Sequence, residues 1–580
     1  MKTIWGESLA KENIHDYYPR PQLMRDSFLS LNGYWDLYMG PKETPHSYPD
    51  SILVPFSPEC ELSGINRSRN PGDLLYYRRF FELPEGFKKD RVILHFGAAD
   101  LRAQVTLNGT LLGSHRGGYW PFSFDITDAL QQGMNELTVC IADKGASEYL
   151  DAYGKQSENP GGILYTAQSG LWQTVWLESV PSVYITDLKI TPLFDSSELL
   201  LCIHTNEPCA CRVSLEDVSF TAASGYPLHI PVPDFHAWSP EDPFLYDITV
   251  YAGEDCVRSY FGMRKFTVEK DTDGIPRLFL NGKPYFCSGV LDQGYWSDGM
   301  YTAPSEEAMV CDIQTMKALG FNTLRKHAKI EPLRWYYLCD VLGMLVWQDM
   351  VNGGGPYPFF LTKAPVLLPL HKKDDHYNSF GRATAESRKL YREEVKNTVS
   401  LLYNTPSVVL WTAFNEGWGQ FDALSAVKRL QKLDPSRLID HASGWYDQGG
   451  GDIDSRHIYF RPLSLSARKE DPRALCLTEF GGYSLRDKQK KNIFSYGKFS
   501  SKEALTDAIA RLYGKVINAA KKSGLSAAIY TQLSDVEQEE NGLLSYDRRT
   551  LKIDPEVLQK INKNLSELYG NHIADQTGED

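Results

Sequence analysis

Three kinds of segment are absent from this sequence of 580 residues. No run approaches the roughly 18 apolar residues that a membrane-spanning helix needs, and the N-terminal segment lacks the apolar core of a secretory signal. No Cys-x-x-Cys motif or Cys/His cluster has the spacing of a zinc site, because the ten cysteines are scattered singly. These absences predict a cytoplasmic protein with free thiols and without a structural metal.

Positive charge is also in short supply. The sequence has 61 Lys and Arg against 74 Asp and Glu, which gives a formal net charge of −13. A nucleic-acid or anionic-membrane partner would need a basic face, so we expect neither. Aromatic residues make up 12% of the chain, and their rings favour a neutral polar ligand that stacks on them. The pattern leaves open whether the chain forms a homo-oligomer.

Low-complexity stretches are absent as well, so most of the chain is expected to fold. At about 150 residues per domain, the length predicts three or four domains. Short alternating strands such as Arg91–Phe96 predict a β-sandwich over residues 1–181. A second set, which includes residues 246–250, predicts an immunoglobulin-like β-sandwich over residues 182–270.

After residue 270, helices alternate with short apolar strands. One helix is predicted to follow Ser305, to place Met309, Ile313 and Met316 on one face, and to end at Gly320. Repeated β-α units over about 290 residues predict a (β/α)8 TIM barrel in residues 271–580. An open doubly wound sheet fits less well, because no Gly-rich phosphate turn follows a strand. The barrel strands are predicted at residues 321–324, 344–347, 408–411, 438–439, 474–477 and 526–529.

Polar side chains follow several of these strands, where a TIM barrel carries its chemistry. Glu416 and Glu479 both follow strands too apolar to lie at the surface. A single glutamate there would more commonly form a salt bridge, but two converging carboxylates are typical of glycosyl transfer, in which one donates a proton while the other attacks or activates water. The other strand-end candidates are Arg325, Lys326, His327, Asp349, Asn415, His441 and Tyr459.

Some of these candidates fit two roles equally well. Trp445 lies in a Gly-rich loop after a strand, with Trp296 and Trp418 in similar loops, and such rings either stack on a sugar or anchor the packing. His327 fits a core position as well as a ligand role. Asp349 fits either a bond to a substrate hydroxyl or a pair with an arginine.

Residues 404–420, NTPSVVLWTAFNEGWGQ, resemble the signature of glycoside hydrolase family 2, which includes β-galactosidases and β-glucuronidases. The resemblance runs from about residue 31 to residue 549 and implies a jelly-roll sugar-binding domain before the other two. It also implies that Glu416 is the acid/base and that Asn415 binds the sugar 2-hydroxyl. LTEFGGYS at residues 477–484 resembles the nucleophile segment and implies this role for Glu479, with Tyr459 as its hydrogen-bond partner.

Three departures from the family pattern bear on the site. The strand that ends at Asp349 lacks the Glu/His pattern of metal-assisted galactosidases, so we expect no metal and no other cofactor. Tyr530 stands where many members have tryptophan and is a candidate for substrate binding. Residues 161–168 show no clear counterpart of an aspartate that, in well-known members, reaches into the barrel pocket from the first domain.

The sugar is a separate question. The Asn-x-Lys element that pairs with the substrate carboxylate in β-glucuronidases is missing, and an acidic run at residues 537–541 would repel a uronate. We therefore expect a retaining exo-β-glycosidase for a neutral sugar, with β-galactosidase as the first choice. One alternative is a β-galacturonidase or β-glucuronidase in which Lys326 and Arg461 clamp the carboxylate. Another is a carbohydrate-binding protein without catalysis.

Overall fold

A computed structural model describes residues 1–11, 14–41, 45–143, 150–356, 358, 361, 365, 371–466, 470–486 and 494–570. A short helix, α1 (Ile4–Glu7), precedes the first unit, an antiparallel β-sandwich. Its strands are β1 (Leu29–Ser30), β2 (Gly33–Gly40), β3 (Asp50–Val54), β4 (Leu74–Phe81), β5 (Arg91–Phe96), β6 (Ala99–Asp100), β7 (Arg102–Leu107), β8 (Thr110–Arg116), β9 (Phe122–Asp125), β10 (Asn135–Ala142), β11 (Gln156–Ser157), β12 (Tyr165–Thr166), β13 (Gly170–Leu171) and β14 (Val175–Val180).

The sandwich forms because alternate side chains of its strands are apolar and point to one face. A four-stranded sheet in the order β1-β14-β5-β9 faces a six-stranded sheet in the order β3-β2-β4-β10-β7-β8. Leu94 and Leu177 from the first sheet share one core with Leu37, Leu75 and Val139 from the second. We call this unit the first sandwich.

A second antiparallel sandwich follows. Its strands are β15 (Ile185–Leu193), β16 (Glu198–Thr205), β17 (Ala210–Leu215), β18 (Val218–Ala223), β19 (Pro227–Pro231), β20 (Tyr246–Ala252) and β21 (Asp255–Phe261). They form a three-stranded sheet, β15-β16-β19, and a four-stranded sheet, β18-β17-β20-β21, around a common core that contains Leu201, Val213 and Val250. A small sheet of β22 (Phe266–Lys270), β23 (Pro276–Leu280) and β24 (Lys283–Pro284) then leads into the last unit, and its β22-β23 pair spans the predicted boundary at residue 270.

The last unit is a parallel eight-stranded barrel, as predicted. Its strands run in the order β29-β28-β27-β26-β25-β34-β31-β30, so the ring is nearly closed. They are β25 (Cys287–Asp292), β26 (Thr323–Lys326), β27 (Leu345–Asp349), β28 (Val408–Thr412), β29 (Leu438–Asp440), β30 (Ile453–Ile458), β31 (Ala474–Gly481) and β34 (Ala527–Thr531), with β32 (Tyr483–Leu485) and β33 (Gly497–Phe499) as a separate pair. The helices around it are α2 (Glu306–Ala318), α3 (Leu333–Leu342), α4 (Ala385–Leu402), α5 (Ala423–Leu433), α6 (Lys502–Ser523) and α7 (Pro555–Glu567).

Helix α2 shows how local signals set these elements. Ser305 caps its first turn by accepting a hydrogen bond from the backbone N–H of Ala308. The predicted face of Met309, Ile313 and Met316 is buried, which confirms the helix. Strand β25 was not predicted, and β30 was implied only by the placement of Tyr459 at a strand end, because the polar residues in CSGVLD and IDSRHI hide the apolar pattern of a barrel strand.

Two features concern the chain as a whole. Within the ranges given above, no helix has both the length and the apolar character needed to cross a membrane. All ten cysteines are free thiols. The Sγ atoms of Cys209 and Cys211 lie 3.8 Å apart and are not bonded to each other.

A buried ion network joins the two sandwiches. Arg25 donates from Nη1 to Glu178 of the first sandwich at 2.9 Å and from Nη2 to Asp255 of the second at 2.8 Å. Burial opposes the charge of Glu178, but Arg20, His95 and Arg25 outweigh it and hold the pKa of Glu178 well below its ordinary value. The network therefore stabilises the fold only while every charge keeps its partner.

We expect Arg25→Met to destabilise the protein by about 3–5 kcal/mol, because it removes the cation that pairs with buried Asp255 and leaves Glu178 with Arg20 alone among its arginine partners. Thermal and denaturant unfolding of the full chain measure the loss. Arg258→Met is the matched control, since Arg258 pairs with Asp26 at the surface, where a salt bridge contributes about 0–1 kcal/mol. Equal losses in the two variants would show that the buried network is not critical.

Candidate active site

The site lies at the C-terminal end of the barrel, where the ends of the parallel strands meet. Because each strand delivers its last inward-facing side chain to the same opening, residues far apart in sequence become neighbours there. The side chains involved are Arg325 on β26, Asp349 on β27, Asn415 and Glu416 after β28, His457 on β30, Tyr459 after β30 and Glu479 on β31.

Glu479 is held on both carboxylate oxygens. Arg325 Nη1 donates to Oε1 at 3.0 Å, and the Tyr459 hydroxyl donates to Oε2. Burial would raise the pKa of Glu479, but His457, Arg325 and the Tyr459 hydroxyl outweigh burial and lower it. Glu479 is therefore a carboxylate at neutral pH, the form that a nucleophile needs.

Arg325 is fully buried and connects three parts of the site. Its Nε and Nη2 each donate to Asp349 at 3.0 Å, and Nη2 also donates to the side-chain oxygen of Asn415 at 2.8 Å. Burial raises the pKa of Asp349 to about 6, although Arg325 opposes the shift. Arg325 thus fixes the orientation of the Glu479 carboxylate and of the Asn415 amide at once.

Glu416 has an unusual backbone. Its φ of +51° lies in the left-handed region, which is unfavourable for a residue other than glycine. The Glu416 N–H donates to the Ser443 carbonyl at 2.9 Å, so the loop after β29 holds this conformation. Glu416 Oε1 lies 2.9 Å from Nδ1 of His457.

His457 is a functional candidate that sequence reasoning missed. It lies between the two glutamates, with Nδ1 against Glu416 and Nε2 3.6 Å from Glu479 Oε1. A signal was available, because His457 stands two residues before Tyr459 and alternate residues of a strand face the same side. Tyr496, whose ring stacks on Tyr459 at 3.8 Å between centroids, was also missed.

Two predicted residues point away from the site. Lys326 is buried against Asp292 and Glu331, and its Nζ lies 4.1 Å from the ring centroid of Trp335 on α3. Lys326 faces outward because its neighbour Arg325 faces the barrel interior, and side chains alternate along a strand. This position does not fit the alternative in which Lys326 clamps a substrate carboxylate.

Tyr530 follows the same rule. Its ring packs against Phe480 and Tyr513, and its hydroxyl accepts a hydrogen bond from the Tyr483 N–H at 3.3 Å. The next residue, Thr531, is the one that reaches Tyr459, with 2.9 Å between the hydroxyl oxygens. The structure thus places Tyr530 in the layer between barrel and helices, away from the expected contact with substrate.

The remaining candidates lie around the opening. His327 is buried with Nδ1 2.9 Å from Gln293 Oε1, and burial with the nearby charges of Lys155 and Arg325 holds its pKa well below the ordinary value. Trp445 packs in a small aromatic cluster with Phe380 and Tyr446. Arg461 is half-buried, and its Nη2 lies 3.5 Å from the His457 carbonyl.

The acidic run at residues 537–541 is not the solvated loop that its composition indicates. Glu539 is 3% exposed and accepts a hydrogen bond from the Tyr165 hydroxyl at 2.5 Å. Glu537 accepts from the Thr166 N–H at 2.9 Å. Both carboxylates therefore bind the first sandwich, and the run docks that unit onto the barrel.

Three side chains at the mouth of the barrel carry atoms that can bind a metal ion. Glu416, His457 and Glu479 each offer one ligand atom, and these atoms lie within 4.8 Å of one another. Imidazole and carboxylate are ligands that divalent ions accept. The same atoms, however, already bind one another, Arg325 and Tyr459. The expectation of catalysis without a metal stays a prediction.

Comparisons with known proteins place this arrangement in context. The model for "Glycosyl hydrolases family 2, TIM barrel domain" matches residues 273–461, and that for "Glycosyl hydrolase 2 galactose-binding domain-like" matches residues 73–169. The β-galactosidase large subunit of Leuconostoc lactis is 26% identical over 420 residues, which cover 68% of this chain and 63% of that protein. The β-galactosidase of Lactococcus lactis is 25% identical over 449 residues, 74% of this chain and 40% of that protein. The chain thus spans less than two thirds of the length of these relatives.

Solved structures share the whole architecture. A β-glucuronidase from an uncultured Clostridium species has a TM-score of 0.72 at 17% identity, over 94% of this chain and 99% of the other. A β-galacturonidase from Eisenbergiella tayi, bound to galacturonate, has a TM-score of 0.70 at 18% identity, over 95% and 99%. At such identities the likeness shows the fold alone.

Two β-sandwiches before a TIM barrel, with two carboxylates that converge at its mouth, define the scaffold of a glycoside hydrolase. The first sandwich and the barrel match two models of one family in chain order. The chain belongs to glycoside hydrolase family 2.

We expect Tyr459→Phe to move the acid limb of the kcat/KM profile to higher pH. The hydroxyl helps to lower the pKa of Glu479, so its loss raises that pKa, and the carboxylate then disappears at a higher pH as the solution is acidified. We also expect kcat/KM to fall by about 10- to 100-fold, because hydrogen bonds to charged groups contribute about 1.5–3 kcal/mol. Tyr483→Phe is the control, since that ring packs on Phe499. An unshifted limb would contradict this role of Tyr459.

We expect activity to survive exhaustive treatment with EDTA, because the atoms that could bind a metal are paired with protein groups. The rate of hydrolysis of aryl β-glycosides is measured before and after treatment, and again after addition of Mg²⁺, Mn²⁺ or Zn²⁺. A loss that one of these ions restores would show that a metal takes part.

Proposed function

We propose that this protein is a retaining exo-β-glycosidase that hydrolyses terminal β-glycosides through a covalent glycosyl-enzyme. The observation that carries the proposal is the short separation of Glu416 and Glu479, whose nearest ligand atoms lie within 4.8 Å. Retaining enzymes hold their carboxyl groups about 5–5.5 Å apart, whereas inverting enzymes need about 6.5–9.5 Å to admit a water molecule.

In the first step, Glu479 attacks the anomeric carbon and forms an ester bond to the sugar. The bond from that carbon to the leaving oxygen breaks, and Glu416 gives its proton to that oxygen. In the second step, Glu416 takes a proton from water while the water oxygen attacks the anomeric carbon. The ester bond breaks, and Glu479 leaves as the carboxylate with which it began.

The neighbouring side chains support these steps by position and charge. Arg325 and Tyr459 keep Glu479 ionised and hold both of its oxygens in place. His457 contacts Glu416 directly, and its other ring nitrogen lies near Glu479, so that one imidazole ring lies between the two glutamates. Asn415, oriented by Arg325, is available to the sugar 2-hydroxyl.

A carbohydrate-binding protein without catalysis is the rival from another class. Binding a neutral sugar does not require an ionised carboxylate under a fully buried arginine, which costs desolvation energy unless the charges do chemistry. The paired glutamates, the arginine and the tyrosine together favour the enzyme.

Two classes of sugar are candidates for the substrate: neutral hexoses and hexuronic acids. The curated relatives above are named β-galactosidases, and the solved structures above are named a β-glucuronidase and a β-galacturonidase. The expectation of a neutral sugar relied on the missing Asn-x-Lys element and on repulsion by the acidic run. Glu537 and Glu539 bind backbone and hydroxyl groups of the first sandwich, so the second reason no longer applies.

We also propose the division into residues 1–181, 182–270 and 271–580, with a jelly roll first and an immunoglobulin-like second unit. The separate cores of the two sandwiches support it. A cytoplasmic location is supported by the free thiols. Sedimentation or light scattering of the full chain measures whether it forms a homo-oligomer.

We expect a 2-deoxy-2-fluoro glycoside of the preferred sugar to label Glu479. Fluorine slows both steps, and an activated leaving group lets the covalent intermediate accumulate. Mass spectrometry of peptic peptides locates the label, with Glu479→Gln as the control that should remain unlabelled. A label on another residue would disprove the assignment.

For Glu416, the expected signature is dependence on the leaving group. Glu416→Ala should slow hydrolysis of glycosides with basic leaving groups by about 10²–10⁴-fold, and that of activated aryl glycosides much less, because general-acid help matters most for a basic oxygen. A Brønsted plot of kcat/KM against the leaving-group pKa measures this. A uniform loss would argue against Glu416 as the acid.

A further inference from the structure

One lysine of the first sandwich reaches the mouth of the barrel. Lys155 lies in the segment between β10 and β12, and its side chain is almost entirely buried, with 7% of the residue exposed. Its Nζ lies 5.1 Å from the ring centroid of Trp418, which follows Glu416 by two residues, and 6.0 Å from that of Tyr165. A residue outside the barrel thus completes the wall of the site.

Backbone contacts fix Lys155 from both sides. Tyr153 and Gly154 donate their N–H groups to the Asn352 carbonyl in the loop after β27, at 3.0 and 2.8 Å. The Lys155 carbonyl accepts from the Tyr165 N–H at 3.0 Å. Gly154 has a φ of +60°, and a Cβ there would come within 2.5 Å of the Ala328 carbonyl oxygen, so the chain passes close against the barrel. These contacts hold the Lys155 backbone at a fixed position against the barrel.

The Lys155 ammonium lies over two aromatic rings, those of Trp418 and Tyr165. Among the residues with described positions, no carboxylate oxygen lies within 4.0 Å of Nζ and no acceptor forms a hydrogen bond with it. Its charge still acts on the site, because it contributes to lowering the pKa values of His327 and Glu479. An ammonium at the mouth of the barrel that forms no ion pair with a described residue can bind a substrate anion.

The nearby carboxylates are committed elsewhere. Glu479 is bound by Arg325 and Tyr459, and Glu539 by the Tyr165 hydroxyl and by Asn541 at 3.0 Å. Burial raises the pKa of Glu539, and the charge of Lys155 opposes that shift without a direct ion pair. Lys155 is therefore available to a bound sugar, whereas Arg325 already binds Asp349, Asn415 and Glu479.

We propose that Lys155 is a specificity-determining residue that binds the carboxylate of a hexuronic acid, so that the site selects β-hexuronides over neutral β-hexosides. The inference rests on the proposed glycosidase function and adds the chemical class of the sugar. The ammonium at the end of the long lysine stem provides a charge-assisted hydrogen bond to the substrate carboxylate. It takes the role that the sequence pattern offered to Lys326, which is paired inside the barrel wall.

The test compares kcat/KM for the aryl β-galacturonide, β-glucuronide, β-galactoside and β-glucoside in the wild type, Lys155→Met and Lys155→Arg. We expect one uronide to exceed both neutral sugars by more than about tenfold in the wild type. Lys155→Met should lower that uronide by about 100-fold and the neutral sugars by less than about threefold, and Lys155→Arg should restore part of the loss. Lys189→Met is the matched control. Lys189 lies on strand β15 of the second sandwich, and its Nζ is 4.4 Å from the ring centroid of Tyr403.

Either a tenfold preference for a neutral sugar, or an equal loss for all four sugars in Lys155→Met, would overturn the inference. Binding without turnover separates this result from a failure of the proposed function. Calorimetry with glucuronate, galacturonate and galactose on the full chain should show a hexuronate that binds more tightly than galactose and loses this advantage in Lys155→Met. If no glycoside is cleaved but this pattern holds, the glycosidase proposal fails and the inference about Lys155 stands. If galactose binds as tightly as both hexuronates, the inference is wrong whatever the enzyme cleaves.

Discussion

The site depends on the charge of one fully buried arginine. Arg325 shares its guanidinium among Asp349, Asn415 and Glu479, which come from three different strands or strand ends. A buried cation of this kind is stable only when each N–H group finds an acceptor, so the positions of β26, β27, β28 and β31 must agree with one another. The barrel supplies that agreement, because its strands are paired side by side in a fixed register. The geometry of the site therefore depends on the same strand pairing that forms the barrel.

Charge also links the other units to the barrel. The first sandwich binds the second through Arg25 and binds the barrel through Tyr165, which meets Glu539. The second contact places Lys155 beside Trp418 at the mouth. The first sandwich therefore contributes a side chain beside the site, and the proposed role of Lys155 in substrate choice depends on this docking.

Alternation along the strands explains which neighbours take part. Arg325 and Thr531 face the interior and reach the site, whereas Lys326 and Tyr530, one residue away, face the surrounding helices. Because successive side chains of a strand point to opposite sides, a shift of one residue separates a group in the site from one in the wall. The same rule places His457 and Tyr459 on one side, and both contact a glutamate.

The sequence by itself determined the features with local signals: the alternating strands of the sandwiches, the helix after Ser305, the apolar strands before Glu416 and Glu479, and hence the barrel and its carboxylate pair. The sequence did not predict strand β25 and gave no bounds for β30, because the polar residues in these strands hide their apolar pattern. Only the tertiary structure decided that His457 lies between the two glutamates and that Lys326 pairs with Asp292 and Glu331 inside the barrel wall. It also decided that the acidic run binds the first sandwich and that Lys155 lies beside Trp418. Each of these contacts joins residues from separate strands or domains, and its energy depends on desolvation and pairing that no local pattern records.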